Sequence, residues 1–452
     1  MFDGLSALWG FLSQIWLSAF IDGQRTAFLL PAFIFLELSL LLVVVFGVLH
    51  WYRHRHAFLR MPSTYAPRVS IIITCYGEGR DIEKTVLSFA EQIYAGHIEI
   101  IAVIDGAKQN LHTYQAAMSC RRWFVQTNRN QVIRYPNRSY RVLPKWQRGG
   151  RVSTLNAGLH VSRGEIIINA DGDTSFDNQT VALMVKHFQD PNVPAVAGAL
   201  KVRNQGDSWV TRLQTLEYMM SIQCAKTGLA RWNMVNNISG AFGAFRRDFL
   251  RKIGGWNTHT AEDLDLTMRI KAYFGRHPNL YIPFEPHAIG FTDVPNTFKS
   301  FRQQRLRWDG DLLFLYLRKH KQSFRLRLLG LKNFIFTVIY GVLQEIILPF
   351  LIFLFTIWLF VIYPAGYVWG VLLFVYLLYL GQAILLLSLY YFLISERREQ
   401  ELWIFLWSPV YPLFAFFRKM WAMVAAMYEL VGRGHEETTM APWWVIKRGN
   451  KF

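Results

Sequence analysis

Long apolar runs near both ends of the chain limit what it can fold into. Ala27–Leu49 has Glu37 as its single charged residue, and Phe334–Ile362 and Val368–Ile394 follow in the last third of the chain. At about 1.5 Å of helix rise per residue, each run is long enough to cross the hydrocarbon core of a bilayer. The sequence therefore predicts a membrane protein in which these three segments span the bilayer.

Two further apolar stretches leave alternatives open. Leu5–Ile21 is short and contains polar residues, so it is either a second span or an interfacial helix. Leu402–Leu430 is interrupted by two prolines and by Arg418 and Lys419, and it spans, re-enters or lies on the membrane surface. Glu345 within a span would be costly against lipid, so it faces a cavity or a protein partner, or it is paired inside the bundle. No Lys or Arg precedes the first apolar stretch, so a cleaved signal peptide is not expected.

Positive charge is concentrated beside the apolar runs. Residues 51–152 hold 16 Lys and Arg against 6 Asp and Glu (net +10), and residues 297–332 hold 10 against 2 (net +8). These two windows account for the formal net charge of +18. Lys and Arg beside spans mark the cytoplasmic side and attract anionic lipid headgroups. We therefore expect a multi-pass protein of the inner (cytoplasmic) membrane, with its soluble domain in the cytoplasm and no nucleic-acid partner.

Composition supports a folded membrane protein. A hydrophobic content of 52% excludes a disordered chain, and 3 cysteines exclude a disulfide scaffold. The predicted boundaries are 1–60 for the N-terminal membrane segments, 61–295 for a cytosolic domain, 296–332 for amphipathic interface helices, 333–431 for a C-terminal transmembrane region and 432–452 for a cytosolic tail.

Residues 66–295 alternate between strand-like and helix-like patterns. Arg68–Cys75, Ile98–Ile104 and Gly164–Ala170 are rich in Ile and Val, as expected of strands buried on both faces, and Asp81–Tyr94 has helical spacing. Such alternation predicts an α/β domain, a parallel sheet with helices on both faces. In sheets of this kind, ligands bind beyond the carboxyl ends of the strands.

Acidic residues follow the predicted strands at that edge. Asp171 and Asp173 are two residues apart after the third strand, so both side chains could hold one Mg²⁺ or Mn²⁺ ion, although this pattern is also common in surface turns. Glu262 and Asp263 begin a helical stretch, where they either favour the positive end of the helix dipole or supply a general base. The sequence has no dinucleotide-binding glycine motif after a strand and no P-loop, which disfavours a dehydrogenase or an ATPase.

A basic amphipathic helix is predicted over Pro295–His320. It contains Gln304, Arg307 and Trp308. Either this helix lies on the membrane surface with its cations reaching toward headgroups, or Arg307 stabilises a diphosphate leaving group while Trp308 stacks on a sugar ring.

Taken together, these motifs resemble those of the membrane-embedded processive family 2 glycosyltransferases, which make cellulose, chitin, hyaluronan and poly-N-acetylglucosamine. The motifs that carry the resemblance are, in chain order, Thr74-x-Tyr76, Asp105, Asp171-Gly172-Asp173, Glu262-Asp263 and Gln304-x-x-Arg307-Trp308. The resemblance covers residues 66–320, and the flanking spans extend it. It implies a UDP-sugar-dependent hexosyltransferase of inverting mechanism, whose GT-A-like nucleotide-sugar-binding domain is inserted between N-terminal and C-terminal transmembrane helices.

On the nucleotide side, the resemblance implies that residues at the strand ends bind UDP. Asp171 would lie against the nucleotide and help to hold a metal ion, which Asp173 would ligate. Arg151 stands where the family often has Lys, and it would keep a cation that forks onto phosphate. The residues expected to line the uracil and ribose pocket are Thr74, Tyr76, Glu78 and Asp105.

On the acceptor side, the resemblance implies that Asp263 takes the proton of the acceptor hydroxyl, with Glu262 beside it. Gly240 lies in Ser239–Arg247, which looks like the acceptor-side segment of the family, where small residues let the backbone approach a sugar. The residues expected to bind the diphosphate and the acceptor end are Gln304, Arg307 and Trp308.

Some positions depart from the family pattern. Thr74 and Gly77 stand where Pro and Asn are usual near the Glu, and Asp105 stands alone where paired acids are usual. No presumed catalytic carboxylate is lost, so we expect an active enzyme.

Within the family, the chain is most like the bacterial poly-β-1,6-N-acetylglucosamine synthases of biofilms, whose compact length and Q-R-L-R-W motif it shares. We therefore expect polymerisation of N-acetylglucosamine from UDP-GlcNAc and export of the β-linked product. A β-glucan, chitin or hyaluronan synthase is the alternative, and a non-processive transferase to a lipid phosphate is a second one. The expected partners are the UDP-sugar donor, the growing polysaccharide acceptor, the lipid bilayer and a small membrane accessory subunit.

Overall fold

The computed structural model describes residues 30–60, 64–126, 137–257 and 261–432, together with the single residues 10, 13 and 135. Almost all of the predicted segment Leu5–Ile21 lies outside the described residues, as does nearly all of the predicted tail 432–452. The expectations for those two segments therefore remain predictions.

The described part of the chain contains a sheet of eight strands in the order β3-β2-β1-β4-β7-β6-β8-β5. The runs predicted as strands form its centre, and every residue of β1 and β2 is buried. In chain order the strands are β1 (Val69–Cys75), β2 (Ile98–Ile104), β3 (Arg138–Pro144), β4 (Ile166–Asp171), β5 (Ser175–Phe176), β6 (Ala195–Val202), β7 (Phe242–Arg246) and β8 (Phe284–Thr292).

The sheet is mixed rather than parallel. Strands β3, β2, β1 and β4 are parallel, as predicted, but β7 is antiparallel to both β4 and β6, and β5 is antiparallel to β8. The expectation of a wholly parallel sheet is therefore wrong. The chain enters β7 at the carboxyl edge of the sheet, where Phe242 pairs with Ala170 at the end of β4. Strand β7 therefore runs in the direction opposite to β4, and the residues just before β7 lie beside the end of β4.

Helices cover both faces of the sheet, as predicted. Phe89 of α2 packs in one apolar layer with Ile71 and Ile73, whereas Leu155 of α4 packs in the opposite layer with Ile72. The predicted helix Asp81–Tyr94 ends earlier, at Ala90. The helices of this part are α2 (Asp81–Ala90), α3 (Leu111–Gln126), α4 (Gly150–Val161), α5 (Thr180–Lys186), α6 (Trp209–Tyr218), α7 (Lys226–Arg231), α8 (Arg247–Lys252) and α9 (Glu262–Lys271).

The remaining helices precede or follow the sheet. They are α1 (Leu30–Arg60), α10 (Phe298–Leu313), α11 (Leu326–Phe336), α12 (Leu348–Ile362), α13 (Ala365–Leu389), α14 (Arg398–Glu401) and α15 (Tyr411–Gly432). Short segments of other helix types connect several helices: π-helices at Met219–Ala225, Phe314–Lys319, Thr337–Ile347 and Tyr390–Ile394, and 3₁₀-helices at His187–Gln189 and Leu402–Val410.

Within the described ranges, three helical segments are long and apolar enough to cross a membrane: Leu36–His56, Leu326–Ile362 and Ala365–Ile394. They overlap the three predicted spans. The ambiguous stretch Leu402–Leu430 is not among them; it consists of a 3₁₀-helix followed by α15, which begins at Tyr411 and carries Arg418 and Lys419.

Helix α15 packs along the amphipathic helix. The predicted helix Pro295–His320 is observed as α10 and the π-helix that follows it. The indole of Trp421 donates to the carbonyl of Arg302 (2.9 Å). Glu345 is half-buried and lies within electrostatic reach of Arg418 on α15, which agrees with a carboxylate that faces polar groups of the bundle.

Candidate active site

The carboxyl edge of the sheet brings several of the predicted residues together. Thr74 at the end of β1 is in register with Asp171 at the end of β4. The Thr74 hydroxyl donates to the Asp171 carboxylate (3.1 Å). Gly240 stands just before β7, which begins at the same edge of the sheet. It therefore lies beside these two strand ends.

Arg151, near the start of α4, connects three other predicted site residues. Its guanidinium forms ion pairs with Asp171 (2.5 Å) and Glu262 (2.6 Å) and donates to the carbonyl of Gly240 (2.5 Å). Burial alone would lower the pKa of Arg151, but the two carboxylates raise it overall. The side chain therefore stays cationic and holds the end of β4, the start of α9 and the segment before β7 in one network.

Asp263 is fixed by three hydrogen bonds. Its Oδ2 accepts from the side-chain amide of Asn237 (2.9 Å) and from the backbone N–H of Gly240 (3.2 Å). Its Oδ1 accepts from the backbone N–H of Leu264 (2.7 Å). A carboxylate held in this way at the first turn of a helix is oriented for proton transfer.

Gly240 fits between these groups because it has no side chain. A Cβ atom there would lie 2.9 Å from a Glu262 carboxylate oxygen and 3.5 Å from the Arg151 guanidinium. Its carbonyl accepts from Arg151 and from the amide of Asn169 on β4. The backbone of Gly240 thus joins the two halves of the site.

Glu262 is buried next to Asp263, and burial raises its pKa to about 7 even though Arg151 opposes the shift. The short ion pair with Arg151 indicates that the ionised form is present in this arrangement. A carboxyl group that titrates near neutral pH is typical of functional sites.

Asp105, at the end of β2, lies on the side of the site where nucleotide binding is predicted. Its carboxylate accepts from the ammonium of Lys145 (2.8 Å) and from the backbone N–H groups of Gly149 and Gly150 (2.9 Å each). The side chain thereby anchors the start of α4, and its predicted bond to uracil stays a prediction. Nearby, the guanidinium of Arg148 lies over the ring of Tyr76 at 3.8 Å from its centroid.

The donor set at the end of β4 fits a hard divalent cation. Asp173 is buried (6% exposed), and Glu78 packs against Gly172, the residue between the two aspartates. Carboxylate oxygens are the ligands that Mg²⁺ and Mn²⁺ prefer, and one or two of them suffice when a diphosphate supplies the rest. Among the described residues, no group of three or more His, Cys, Asp or Glu is placed to hold a metal ion by itself.

The predicted diphosphate and acceptor residues lie on α10. Gln304 is buried (9% exposed), and its side-chain oxygen has no hydrogen-bond partner among the described residues. Arg307 and Trp308 are exposed. Leu313 and Leu315, at and just beyond the end of α10, pack with Leu264 of α9, so this helix is connected to the helix that carries Asp263.

The sequence interpretation missed four polar residues of the site. Asn169 could have been noticed, because it is a polar residue within an otherwise apolar strand. Asn237 stands just before the segment already singled out. Arg148 and Lys226 gave no local signal, since single cations in a loop and in a helix are common.

An α/β domain that gathers carboxylates and a cation at the carboxyl edge of its sheet has the features of a nucleotide-sugar transferase. Comparison with known families agrees with this class. The model of glycosyl transferase family group 2 matches residues 166–428, and that of glycosyl transferase family 2 matches residues 70–254. The first match covers more than half of the chain, so the protein belongs to glycosyl transferase family group 2 and is an enzyme of that kind.

Individual relatives agree with this family assignment. A poly-β-1,6-N-acetyl-D-glucosamine synthase of Staphylococcus epidermidis is 26% identical over 242 residues, 53% of each chain. An N-acetylglucosaminyltransferase of Rhizobium leguminosarum bv. viciae is 28% identical over 253 residues, 54% of this chain and 55% of the relative. The chain thus spans about half the length of the curated relatives it matches. The resemblance to this family is confirmed.

Among solved structures, a mannosyltransferase from Pyrobaculum calidifontis in complex with GDP-Man and Mn²⁺ matches with a TM-score of 0.49 and 18% identity. The match covers 88% of this chain and 99% of that one. Likeness at that level identifies neither the metal nor the sugar used by this protein.

Proposed function

We propose that this glycosyltransferase is a membrane-embedded, processive polymerase that joins N-acetylglucosamine from UDP-GlcNAc into an exported β-linked polysaccharide. The observation that carries the proposal is the network in which Arg151 joins Asp171, Glu262 and Gly240, with Asp263 held against Gly240. The names of the two relatives support N-acetylglucosamine as the sugar. The exposed Trp308 on a helix connected to α9 supports binding of a sugar acceptor.

The proposed reaction is a single displacement. The acceptor hydroxyl attacks the anomeric carbon of the donor from the face opposite UDP, and a carbon–oxygen bond forms as the bond to the β-phosphate oxygen breaks. The electron pair of the broken bond leaves with UDP, and Asp263 takes the hydroxyl proton. One displacement inverts the anomeric centre, so an α-linked donor gives a β-linked product.

Asp171 and Asp173 would hold Mg²⁺ or Mn²⁺ together with the donor diphosphate. When bound, such an ion offsets the negative charge that develops on the leaving group. Arg307 would supply a second positive charge from α10. Thr74, Tyr76, Glu78 and Asp105 would surround the nucleoside, and Gln304 and Trp308 would contact the acceptor end.

The proposed arrangement places a GT-A-like domain (residues 61–295) between the N-terminal and C-terminal membrane segments, on the cytoplasmic side of the inner membrane. The three apolar helical segments and the positive charge beside them support this orientation. Helices of residues 296–332 would lie at the interface, and those of residues 333–431 would form the route by which the polymer leaves. A small membrane accessory subunit remains an expected partner.

The test is incorporation of radiolabel from a panel of UDP-sugars by the full chain in membranes, followed by digestion with linkage-specific hydrolases. We expect a high polymer from UDP-GlcNAc in the presence of Mg²⁺ or Mn²⁺, and loss of incorporation in chelator. A single lipid-linked sugar would contradict processivity, and incorporation from another donor alone would contradict the sugar assignment.

Asp263→Asn tests the base in the same assay. We expect transfer to fall by a factor of about 10² to 10⁴, because proton transfer by a positioned side chain contributes that much. UDP binding should persist. Asp248→Asn, which changes an 87% exposed carboxylate, is the matched control and should retain full transfer. Substantial turnover by Asp263→Asn would contradict the assignment.

A further inference from the structure

A buried lysine lies behind the candidate base. Lys226 begins α7 and is 4% exposed. Its ammonium donates to the backbone carbonyl of Asn237 (2.9 Å). The helix that carries it is fixed against α1, because Gly228 and Gly47 let the two backbones approach so closely that a Cβ on either would overlap the other helix.

Asn237 connects this lysine to the base. Its carbonyl accepts from Lys226, and its side-chain amide donates to Oδ2 of Asp263 (2.9 Å). Fixing the backbone of Asn237 therefore also fixes the amide that binds the carboxylate.

The hydrogen bonds at Asp263 identify which oxygen is available for chemistry. An ionised carboxylate has about four lone-pair sites, two on each oxygen. On Oδ2, Asn237 and Gly240 occupy both sites, whereas on Oδ1 the hydrogen bond from Leu264 occupies one. Among the described residues, the remaining site is therefore on Oδ1.

We propose that Lys226 and Asn237 are positioning residues for Asp263, which hold Oδ2 so that Oδ1 receives the proton of the acceptor hydroxyl. The inference rests on the proposed role of Asp263 as the base. The proton moves from the hydroxyl to Oδ1 as the new carbon–oxygen bond forms, and UDP leaves with the electron pair of the bond that breaks.

Four titratable or charged groups face Asp263 from the elements around it. Glu262 adjoins it on α9, Arg151 reaches it from α4, Lys226 from α7 and Tyr316 from the π-helix after α10. Arg151 is already paired with Asp171 and Glu262. Lys226 is therefore the cation that can be removed with the fewest other changes.

The Lys226 cation is itself close to losing its proton. Burial lowers the pKa of Lys226 to about 8, against the opposing effect of Asp263. While protonated, its ammonium donates a charge-assisted hydrogen bond to the carbonyl of Asn237, whose side-chain amide binds Oδ2 of Asp263. Above about pH 8 this support is lost in the native protein.

The test is the pH profile of UDP release by the full chain in detergent, with UDP-GlcNAc or whichever UDP-sugar the native protein turns over. In Lys226→Met, we expect kcat to fall about tenfold or more, since mispositioning removes part of the contribution of a general base. KM for the donor should stay within about twofold. The fall in activity expected above about pH 8 should be absent, because the group that loses its proton there is gone.

Lys226→Arg should extend activity above about pH 8, because arginine keeps its charge there. Lys271→Met is the matched control, because Lys271 is also a buried lysine, 1% exposed, on the helix of Asp263. It should leave the fall above about pH 8 unchanged. Should Lys226→Met fail to fold, as judged by UDP binding, Asn237→Ser carries the test, with the same fall in kcat expected.

Two results would overturn the inference: an unchanged fall in activity above about pH 8 in Lys226→Met that still binds UDP, or the loss of that fall in Lys271→Met. For Asn237→Ser, native kcat would overturn it. Failure of the proposed function looks different, because the native protein would then release no UDP from any donor.

Discussion

Gly240 is the residue at which the two halves of the site come closest. Its N–H binds the candidate base, and its carbonyl binds Arg151 and Asn169. All three bonds are made by a backbone path on which a Cβ would lie 2.9 Å from a carboxylate oxygen of Glu262. Such contacts are shorter than real Cβ atoms tolerate, so even alanine must displace a neighbour.

Gly240→Ala is expected to lower kcat by about 10- to 100-fold, because a displacement of a few tenths of an ångström disturbs the bond to Asp263. The measurement is UDP release at saturating donor. Gly206→Ala is the control, since its Cβ would meet no heavy atom within 4 Å, and it should retain native activity. Native kcat in Gly240→Ala would mean that the segment before β7 shifts without disturbing the candidate base.

At this scale, sequence identified the acids and the glycine but not how they are connected. Arg151 was expected to fork onto phosphate, and in this structure it forks onto Asp171 and Glu262. An exchange of these two partners for a diphosphate remains a prediction. The pairing depends on β7 and α9 meeting near β4, which no local pattern encodes.

Among the elements, α9 is held at both ends of its first turn. Asp263 is bound to the segment before β7, whereas Asp265, two residues later, contacts the end of the π-helix that follows α10. Asp265 is fully buried and pairs with Arg269 (2.8 Å), Lys319 (3.0 Å) and His320 (2.9 Å). Helix α9 is thereby connected to the end of the π-helix that follows α10.

Asp265→Asn tests this connection through its pH dependence. Burial alone would raise the pKa of Asp265, but His320, Arg269 and Lys319 lower it to about 2, from 3.8. A lowered pKa in the folded state contributes stability above about pH 4 that is lost as pH falls toward 2, worth about 2 kcal/mol. The variant should therefore melt at a lower temperature than the native protein at pH 7, and the gap should narrow at pH 3.

Thermal unfolding of the full chain in detergent measures this difference. Asp248→Asn, at an exposed ion pair, should melt like the native protein at both pH values. A gap of the same size at pH 3 and pH 7 would show that Asp265 does not act through its charge.

The strands and helices were predictable to different degrees. The apolar runs of β1, β2 and β4 gave their bounds to within two residues, because strands buried on both faces have a strong local signature. The direction of β7 could not be predicted from the sequence, because it depends on the edge at which the chain enters the sheet. Leu402–Leu430 stayed ambiguous because Arg418 and Lys419 are paired inward, with Glu217 and Glu37, from elements distant in sequence.

On the scale of the whole molecule, the loop of residues 395–401, which includes the short helix α14, connects the sheet to the membrane segments. Residues 395–401 follow the span Ala365–Ile394 and form three ion pairs with the edge of the sheet. The pairs are Glu396 with His287 (2.8 Å), Arg397 with Asp177 (2.8 Å) and Glu401 with Lys201 (2.8 Å). The proposed function passes a growing polymer from the catalytic domain into the bundle, so it requires these two parts to keep their alignment.

Glu401 is the buried member of this connection, and Glu401→Gln is the change that tests it. Its carboxylate also accepts from the hydroxyls of Tyr390 (2.8 Å) and Ser395 (2.6 Å). Removing the charge leaves the ammonium of Lys201, whose side chain is 11% exposed, without its counter-ion, at a cost of about 3 kcal/mol. We expect the loop to detach more often, which makes the backbone at Arg397 and Arg398, whose side chains are already exposed, easier for trypsin to cleave.

The measurement is the rate of tryptic cleavage at these two arginines in the full chain, alongside the length of the polymer made by the same sample. Glu401→Gln should be cut faster and should make shorter chains, because a domain that separates from the bundle releases its acceptor. Glu399→Gln changes an exposed acid of the same loop and should match the native protein in both respects. Faster cleavage with native polymer length would mean that the loop stabilises the molecule without aligning the two parts, and an unchanged cleavage rate would mean that the other two ion pairs suffice to hold it.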